Sequence, residues 1–209
     1  SLLLIVISFL HYQQFPIYEW EFILEYIKDN RQKEDFNSIA TKLGYNENDK
    51  LLIIHADDVG LSKSVNESTF ESFKNKSITS ASIIMNTYEM AGGLKFAVEN
   101  PSFDFGVHLT VTSEWKYHKW GGILDKAKTP SLHNSANHFY WKKRKFVKNA
   151  DLNEIKMELQ AQISLAKSMG LKPSHIDSHE GALFFDPNIF KIYIDLAIEN
   201  DLLAFVPIE

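Results

Sequence analysis

Five short runs that read as strands, separated by segments with helical spacing, constrain this chain more than any other feature. The runs cover residues 51–56, 81–85, 105–111, 174–177 and 202–206. Between them, apolar periodicity predicts helices over 65–74, 88–99, 151–168 and 187–199. Asp151 stands at the N-cap position of the third, Gly170 closes it, and Pro187 opens the fourth. Short continuous apolar runs such as Leu51-Leu-Ile-Ile-His-Ala are those of strands buried on both faces of a parallel sheet. Repeated strand–helix units imply right-handed crossovers. The ligand-type residues fall where strands end, the face that carries chemistry in a β/α barrel. Closing a barrel takes more than five strands, so the sequence reads as incomplete at the C-terminus. A doubly wound open sheet is the alternative.

Three segments are expected. Residues 1–17 open with an uncharged apolar run, about the length of a signal-peptide core and too short to span a bilayer. Read as the remnant of an export signal, it places the protein in the periplasm or outside the cell. Read as a buried strand or helix start, it leaves the protein cytoplasmic. Residues 18–48 form a helical lead-in, with Trp20, Ile23, Leu24 and Ile27 at helical spacing and a second short helix over 35–43 ended by Gly44. Residues 49–209 form the barrel.

With no cysteine, disulfides and thiolate metal sites are excluded. A net charge of -5 with scattered lysines gives no footprint for nucleic acid. The one basic run, Lys142-Lys-Arg-Lys145, reads as a solvated loop or helix end.

Three clusters carry chemistry. In His55-Ala-Asp57-Asp58, at a strand end, adjacent carboxylates raise each other's pKa, and a bound cation relieves the repulsion. One Asp would then bind the ion while the other takes a proton from water. A helix N-cap pair accounts for the same two residues. In Gly106-Val-His108-Leu-Thr110, the His is a ligand or a satisfied core imidazole. In His175-Ile-Asp177-Ser-His179, three ligand-type residues alternate at the end of a strand and can project to one side. Two imidazoles and a carboxylate leave open positions on a divalent ion, as catalytic sites do. Zn²⁺ suits such ligands by softness, whereas Mg²⁺ prefers oxygen. His175 and Asp177 are then candidates for supporting or substrate contacts.

In order along the chain, Leu52-Ile-Ile-His-Ala-Asp-Asp-Val-Gly-Leu-Ser, Gly-Val-His-Leu-Thr and Pro173-Ser-His-Ile-Asp-Ser-His resemble the successive motifs of the YdjC-type (ChbG/HpnK) carbohydrate deacetylases. Ile78–Asn86 and Glu158-Leu-Gln-Ala-Gln162 fit the same pattern. The resemblance runs from about Lys50 to the C-terminus. It implies a β/α barrel of the polysaccharide-deacetylase type that removes acetyl groups from N-acetylated sugars such as chitooligosaccharides. It also implies Asp57 as the catalytic base and Asp58, His108 and His179 as ligands of one divalent ion, Mg²⁺ being the cation usual in the family. Relatives continue the third motif with further His residues, where this chain has Glu180-Gly-Ala-Leu-Phe, and carry a later His fit to protonate the leaving amine. His175 is the stand-in for that acid.

In the aromatic stretch after the third strand, Trp115, Tyr117 and Trp120 either stack on sugar rings or pack the loop onto the barrel. His118, His133 and His138 are expected on the solvated loop. The expected partner is a small acetylated saccharide, with no nucleic acid and no membrane span. Unpaired edges of an incomplete barrel invite association of copies into a homo-oligomer. The rival readings are another barrel metallohydrolase, such as a phosphoesterase, and a sugar-binding relative without catalysis.

Overall fold

The computed structural model describes residues 39–206. The predicted leader and the helix at its C-terminal side, up to residue 33, lie outside the described residues. The chain divides between Ile54 and His55 into two compact units.

In the first unit, helix α1 (Ile39–Lys42) is the described part of the second lead-in helix. Gly44, at φ +86°, closes it, and the Tyr45 N–H donates to Ala40 O at 2.9 Å. Only a residue without Cβ adopts that left-handed turn cheaply.

The second unit alternates strand and helix: β1 (His55–Val59), α2 (Lys63–Lys74), β2 (Ser80–Ile83), α3 (Met90–Glu99) and β3 (Asp104–Leu109). A long connection follows, holding a 3₁₀ turn at Pro130–Leu132 and helix α4 (Lys143–Asn149). Then come α5 (Leu152–Ser168), β4 (His175–Ser178), a 3₁₀ segment (His179–Phe184), α6 (Pro187–Asn200) and β5 (Leu203–Ala204). All five strands are parallel, and their order in the sheet is β1-β2-β3-β4-β5. A doubly wound sheet reverses its strand order at a switch point. The described strands keep strict chain order, which is the winding of a β/α barrel and not of a doubly wound sheet. Among the described residues β1 and β5 are the sheet's edges.

Two strand expectations need correction. The first strand begins at His55, not Leu51: the ladder starts where His55 meets Ser80, and Leu51, Leu52, Ile53 and Ile54 are exposed. The strands are also not apolar on both faces. Ala81 and Ile83, Phe105 and Val107, and Ile176 alternate with Ser80 and Ser82, Gly106 and His108, and His175 and Asp177, so the two sets occupy opposite faces. The apolar face meets the helices. Phe105 lies 5.0 Å from Phe73 of α2 and 6.3 Å from Phe96 of α3, ring centre to ring centre, and Phe96 stacks on Phe70 at 3.9 Å. Phe73 and Phe105, both buried, each contribute about 1.5–3 kcal/mol, so the helix-covered face holds the sheet while the other is free to carry polar groups.

The capping residues act as read. Asp151 accepts from the Asn153 and Glu154 N–H groups, and Pro187 opens α6, whose N-cap is Asp186, a residue the sequence reading did not name. The basic run enters α4. No described helix is long and apolar enough to cross a membrane.

Candidate metal centre

Successive residues on a regular strand face opposite sides, so Asp57 and Asp58 could not both reach one site. A bulge removes that obstacle. Ala56 pairs with Ala81 and Val59 with Ile83, so β1 takes three steps where β2 takes two. Asp58 sits in the left-handed region at φ +63°, a conformation that costs a non-glycine residue about 1 kcal/mol or more and that collects at functional sites. His108 is on β3, directly opposite Asp177 on β4. His179 is the first residue after β4, and the two residues behind it, Glu180 (φ 51°) and Gly181 (φ 63°), turn the chain sharply away.

These elements bring three ligand atoms together. Asp58 Oδ1 lies 3.2 Å from His108 Nε2 and 3.0 Å from His179 Nδ1, and the two ring nitrogens are 3.2 Å apart. Around an ion with bonds of about 2.1 Å, neighbouring ligand atoms stand about 3.0 Å apart at right angles and about 3.4 Å at tetrahedral angles. The observed triangle falls in that range, so the residues fit a small divalent ion. Their chemistry agrees: one carboxylate and two imidazoles, each imidazole tied at its far nitrogen to another acid.

Those ties fix the tautomers. His108 Nδ1 donates to Asp177 Oδ1 at 2.8 Å, which leaves Nε2 facing the triangle. His179 Nε2 donates to Glu114 Oε2 at 2.9 Å, which leaves Nδ1 facing it. Carboxylate–imidazole–metal triads are built this way. Without an ion the cluster keeps protons in its place. Burial alone would lower His179, but its hydrogen bonds to Asp58 and Glu114 raise it to about 9. His108 is likewise raised well above the ordinary imidazole value: burial opposes, and the charge and hydrogen bond of Asp177 outweigh it. Burial would raise Asp58 and Asp177, yet hydrogen bonds from His108 and its neighbours hold both carboxyls well below the usual range.

Asp57 stands apart from the triangle. Its side chain is 61% exposed, and its Oδ1 lies 3.4 Å from His55 Nε2. Partial withdrawal from water in the site's mouth raises its carboxyl above the ordinary value, against the pull of His108 and with the charge of Asp177 adding to the rise. A carboxylate with a raised pKa, open to solvent beside the candidate triangle, is equipped to take a proton. His175 lies four residues before His179 and outside the triangle. Its ring packs edge-on to His55 at 5.2 Å and against Gly106, where any Cβ would collide with it. Burial lowers its pKa.

The aromatic stretch splits. Trp115 is 49% exposed, whereas Trp120 is 4% exposed and lies 5.8 Å from the His179 ring. His133, expected on the solvated loop, is buried: its Nδ1 donates to Thr129 O at 2.8 Å and its Nε2 accepts from the Gly122 N–H at 3.0 Å. The loop needed an internal hydrogen-bonding post, and an imidazole offers a donor and an acceptor at once.

Sequence reasoning passed over Glu114, although it stands beside the quoted Trp115. Its signal was a carboxylate just past the end of the strand that carries His108. Glu158 and Gln162 fit the family pattern but had no role read for them: they are the buried pair on α5 that ties the long connection down. Glu158 accepts from the Ile123 and Leu124 N–H groups at 2.8 and 3.0 Å, and Gln162 bonds both the N–H and the carbonyl of Thr110, just past β3. Glycine at 122 leaves room for this carboxylate, because a Cβ there would meet Glu158 Oε2 at 2.5 Å and push it off its partners.

Residues 51–208 match the sequence family described as YdjC-like protein. Among curated relatives, a carbohydrate deacetylase of Clostridium beijerinckii is 30% identical over 151 residues, 72% of this chain and 58% of that protein. A carbohydrate deacetylase of Geobacillus stearothermophilus is 34% identical over 69% of this chain and 55% of its own length. A chitooligosaccharide deacetylase of Yersinia pestis is 30% identical over 74% and 58%. A crystal structure from Enterococcus faecalis, of a protein whose assignment is cellobiose-phosphate cleavage, superposes with a TM-score of 0.66 at 28% identity, over 73% of this chain and 57% of that one. The chain spans a little over half the length of the curated relatives it matches.

Proposed function

This chain belongs to the YdjC-like family, and from that premise we propose that it is a metal-dependent carbohydrate N-deacetylase acting on small N-acetylated saccharides of the chitooligosaccharide type. The observation that carries the reading is the convergence of Asp58 Oδ1, His108 Nε2 and His179 Nδ1 at 3.0–3.2 Å, with Asp57 beside them and outside the triangle.

Asp58, His108 and His179 would hold one divalent ion, which supplies Lewis acidity toward the acetamide carbonyl and its developing oxyanion. Mg²⁺ is the ion implied by the family resemblance, and Zn²⁺ the one favoured by the ligand set. Asp57 takes a proton from the attacking water as its oxygen adds to the carbonyl carbon. The C–N bond then breaks, acetate leaves with the new oxygen, and the sugar amine leaves with the proton that Asp57 had taken. Glu114 and Asp177 act through the two imidazoles, fixing each ring by its far nitrogen so that the near nitrogen would be available to the ion. Trp115, exposed beside the mouth, offers a face for a sugar ring. The reading accounts for why the two aspartates are adjacent yet differently placed: one is fixed by two imidazoles, and the other stays free to accept a proton.

The test is acetate release from short chitooligosaccharides by the chain as isolated, after chelation, and after return of Mg²⁺ or Zn²⁺ separately. Release that stops on chelation and returns with one ion supports the reading. Release indifferent to chelation removes the ion from the mechanism. Phosphate release from sugar phosphates, with no acetate from acetylated sugars, turns the site into a phosphoesterase.

A further inference from the structure

Below the triangle, on the same polar face, a second set of groups surrounds His55. Its Nδ1 lies 3.0 Å from Ser80 Oγ. Its Nε2 lies 3.1 Å from Ser82 Oγ, 3.1 Å from Asp177 Oδ2 and 3.4 Å from Asp57 Oδ1. Register explains the meeting: His55 pairs with Ser80, and Ser82, two residues on, faces the same side.

Counting protons leaves His55 one good tautomer. Ser82 Oγ donates to Asp177 Oδ2 at 2.8 Å, so its hydrogen is spent. His108 Nδ1 gives its hydrogen to Asp177 Oδ1. A bare His55 Nε2 would then point its lone pair at two carboxylates and a hydroxyl that has no hydrogen left to give. With the hydrogen on Nε2, that atom donates toward Asp177 and Asp57, and Nδ1 accepts from Ser80. The ring's body is seated independently, edge-on to His175 at 5.2 Å and stacked on Phe205 at 6.5 Å.

We propose that His55 is a positioning residue of this site: held as the Nε2–H tautomer by Ser80, it shares that hydrogen between Asp57 and Asp177. One imidazole thereby ties the proton-accepting carboxylate to the carboxylate that orients His108. The proposal rests on the deacetylase reading for its kinetic consequence and on geometry alone for its tautomer.

Two measurements test it on the full chain. Long-range ¹⁵N–¹H NMR of the ring nitrogens, in the metal-free protein above neutral pH and with His55 assigned by its absence from His55→Phe, reads the tautomer directly. The expected result is hydrogen on Nε2 in the wild type and a mixture of tautomers in Ser80→Ala. A wild-type ring with hydrogen on Nδ1 would overturn the proposal. Kinetics read the consequence. In His55→Phe, which keeps the ring contacts, kcat is expected to fall about 10²-fold, the usual cost of a reacting group set loose by roughly an ångström. KM and ion affinity should stay within about threefold of the wild type. His55→Gln, which returns an N–H donor at that reach, should recover about a tenth or more of the lost rate if donation is what counts. Full kcat in a folded His55→Phe, or no recovery in a folded His55→Gln, overturns the role. Absence of acetate release from the wild type would fail the deacetylase reading instead, and the NMR result would still decide the tautomer.

Discussion

The same residue types are put to opposite uses at two places in this molecule. At the strand ends, Asp58, His108 and His179 bring one atom each to a common centre, and the backbone is left-handed at Asp58 and at Glu180, just past His179. Around the long connection, Glu158 and Gln162 of α5 and His133 of the connection itself are buried, and each points at backbone N–H or carbonyl groups and is answered there. In the first set the facing atoms meet one another and, on the reading proposed, would turn their bonding capacity to an ion, whereas the second set spends its capacity on the chain's backbone. Buried polar residues of one chemistry thus divide into a site and a fastening, and the direction of their atoms separates the two where residue type does not.

That contrast breaks if variants in the two regions behave alike. The largest effect is expected from Asp58→Asn, which removes the only anionic ligand of the triangle. Losing several kcal/mol of electrostatic assistance should cut acetate release by on the order of 10³-fold or more, while thermal denaturation still shows a folded protein. Glu158→Ala should do the reverse. It leaves the Ile123 and Leu124 N–H groups unanswered, at a cost of about 1–3 kcal/mol each, and lowers Tm by roughly 10 °C, with ion affinity per folded molecule unchanged. Comparable ion loss in both variants would erase the distinction.

Glu114 sharpens it, because it lies in the connection yet serves the strand ends. Glu114→Ala should weaken ion binding about 10–100-fold, the usual toll of removing an acid that orients a ligating imidazole. Since its side chain is partly exposed, its loss should move Tm by only about 2–4 °C. A large fall in Tm with unchanged ion affinity would make it a fastening instead.

The smallest effect is a slope. In the ion-free protein, the raised pKa of His179 contributes stability that is fully present below about 6.5, its unfolded value, and is lost as pH rises through about 9. An ion must displace that proton, so binding runs the other way. Calorimetric affinity should rise by about tenfold or more per pH unit below 9 and flatten above it, with proton release in matched buffers. Affinity independent of pH would mean that His179 is not a ligand.

Much of the first region was legible in the sequence because it depends on few things. Parallel strands in chain order bring their C-terminal ends to one edge, so Asp58, His108 and His179 had only to stand at strand ends to be neighbours. The opposition of His108 and Asp177 follows from a register set by flanking apolar residues. What the sequence obscured was tertiary. The apolar run at 51–54 looks like the heart of a strand, but the ladder starts only at His55, where Ser80 is available to pair. The bulge that lets both aspartates face the mouth has no mark beyond the pair itself. Glu114, Trp120 and His133 take their places from the folding of a connection whose shape is fixed by Glu158 and Gln162, more than twenty residues away, and no local pattern carries that.

The most direct test of the account is to titrate a divalent ion into the chain and its Asp57→Asn variant and to follow acetate release from the same samples. The account predicts that both proteins bind one ion with closely similar affinity, while the variant loses about 10²–10⁴-fold in turnover, the contribution of a positioned general base. Loss of the ion together with the activity in Asp57→Asn would contradict the division of labour between the two aspartates, and no ion binding by the wild type would contradict the metal centre itself.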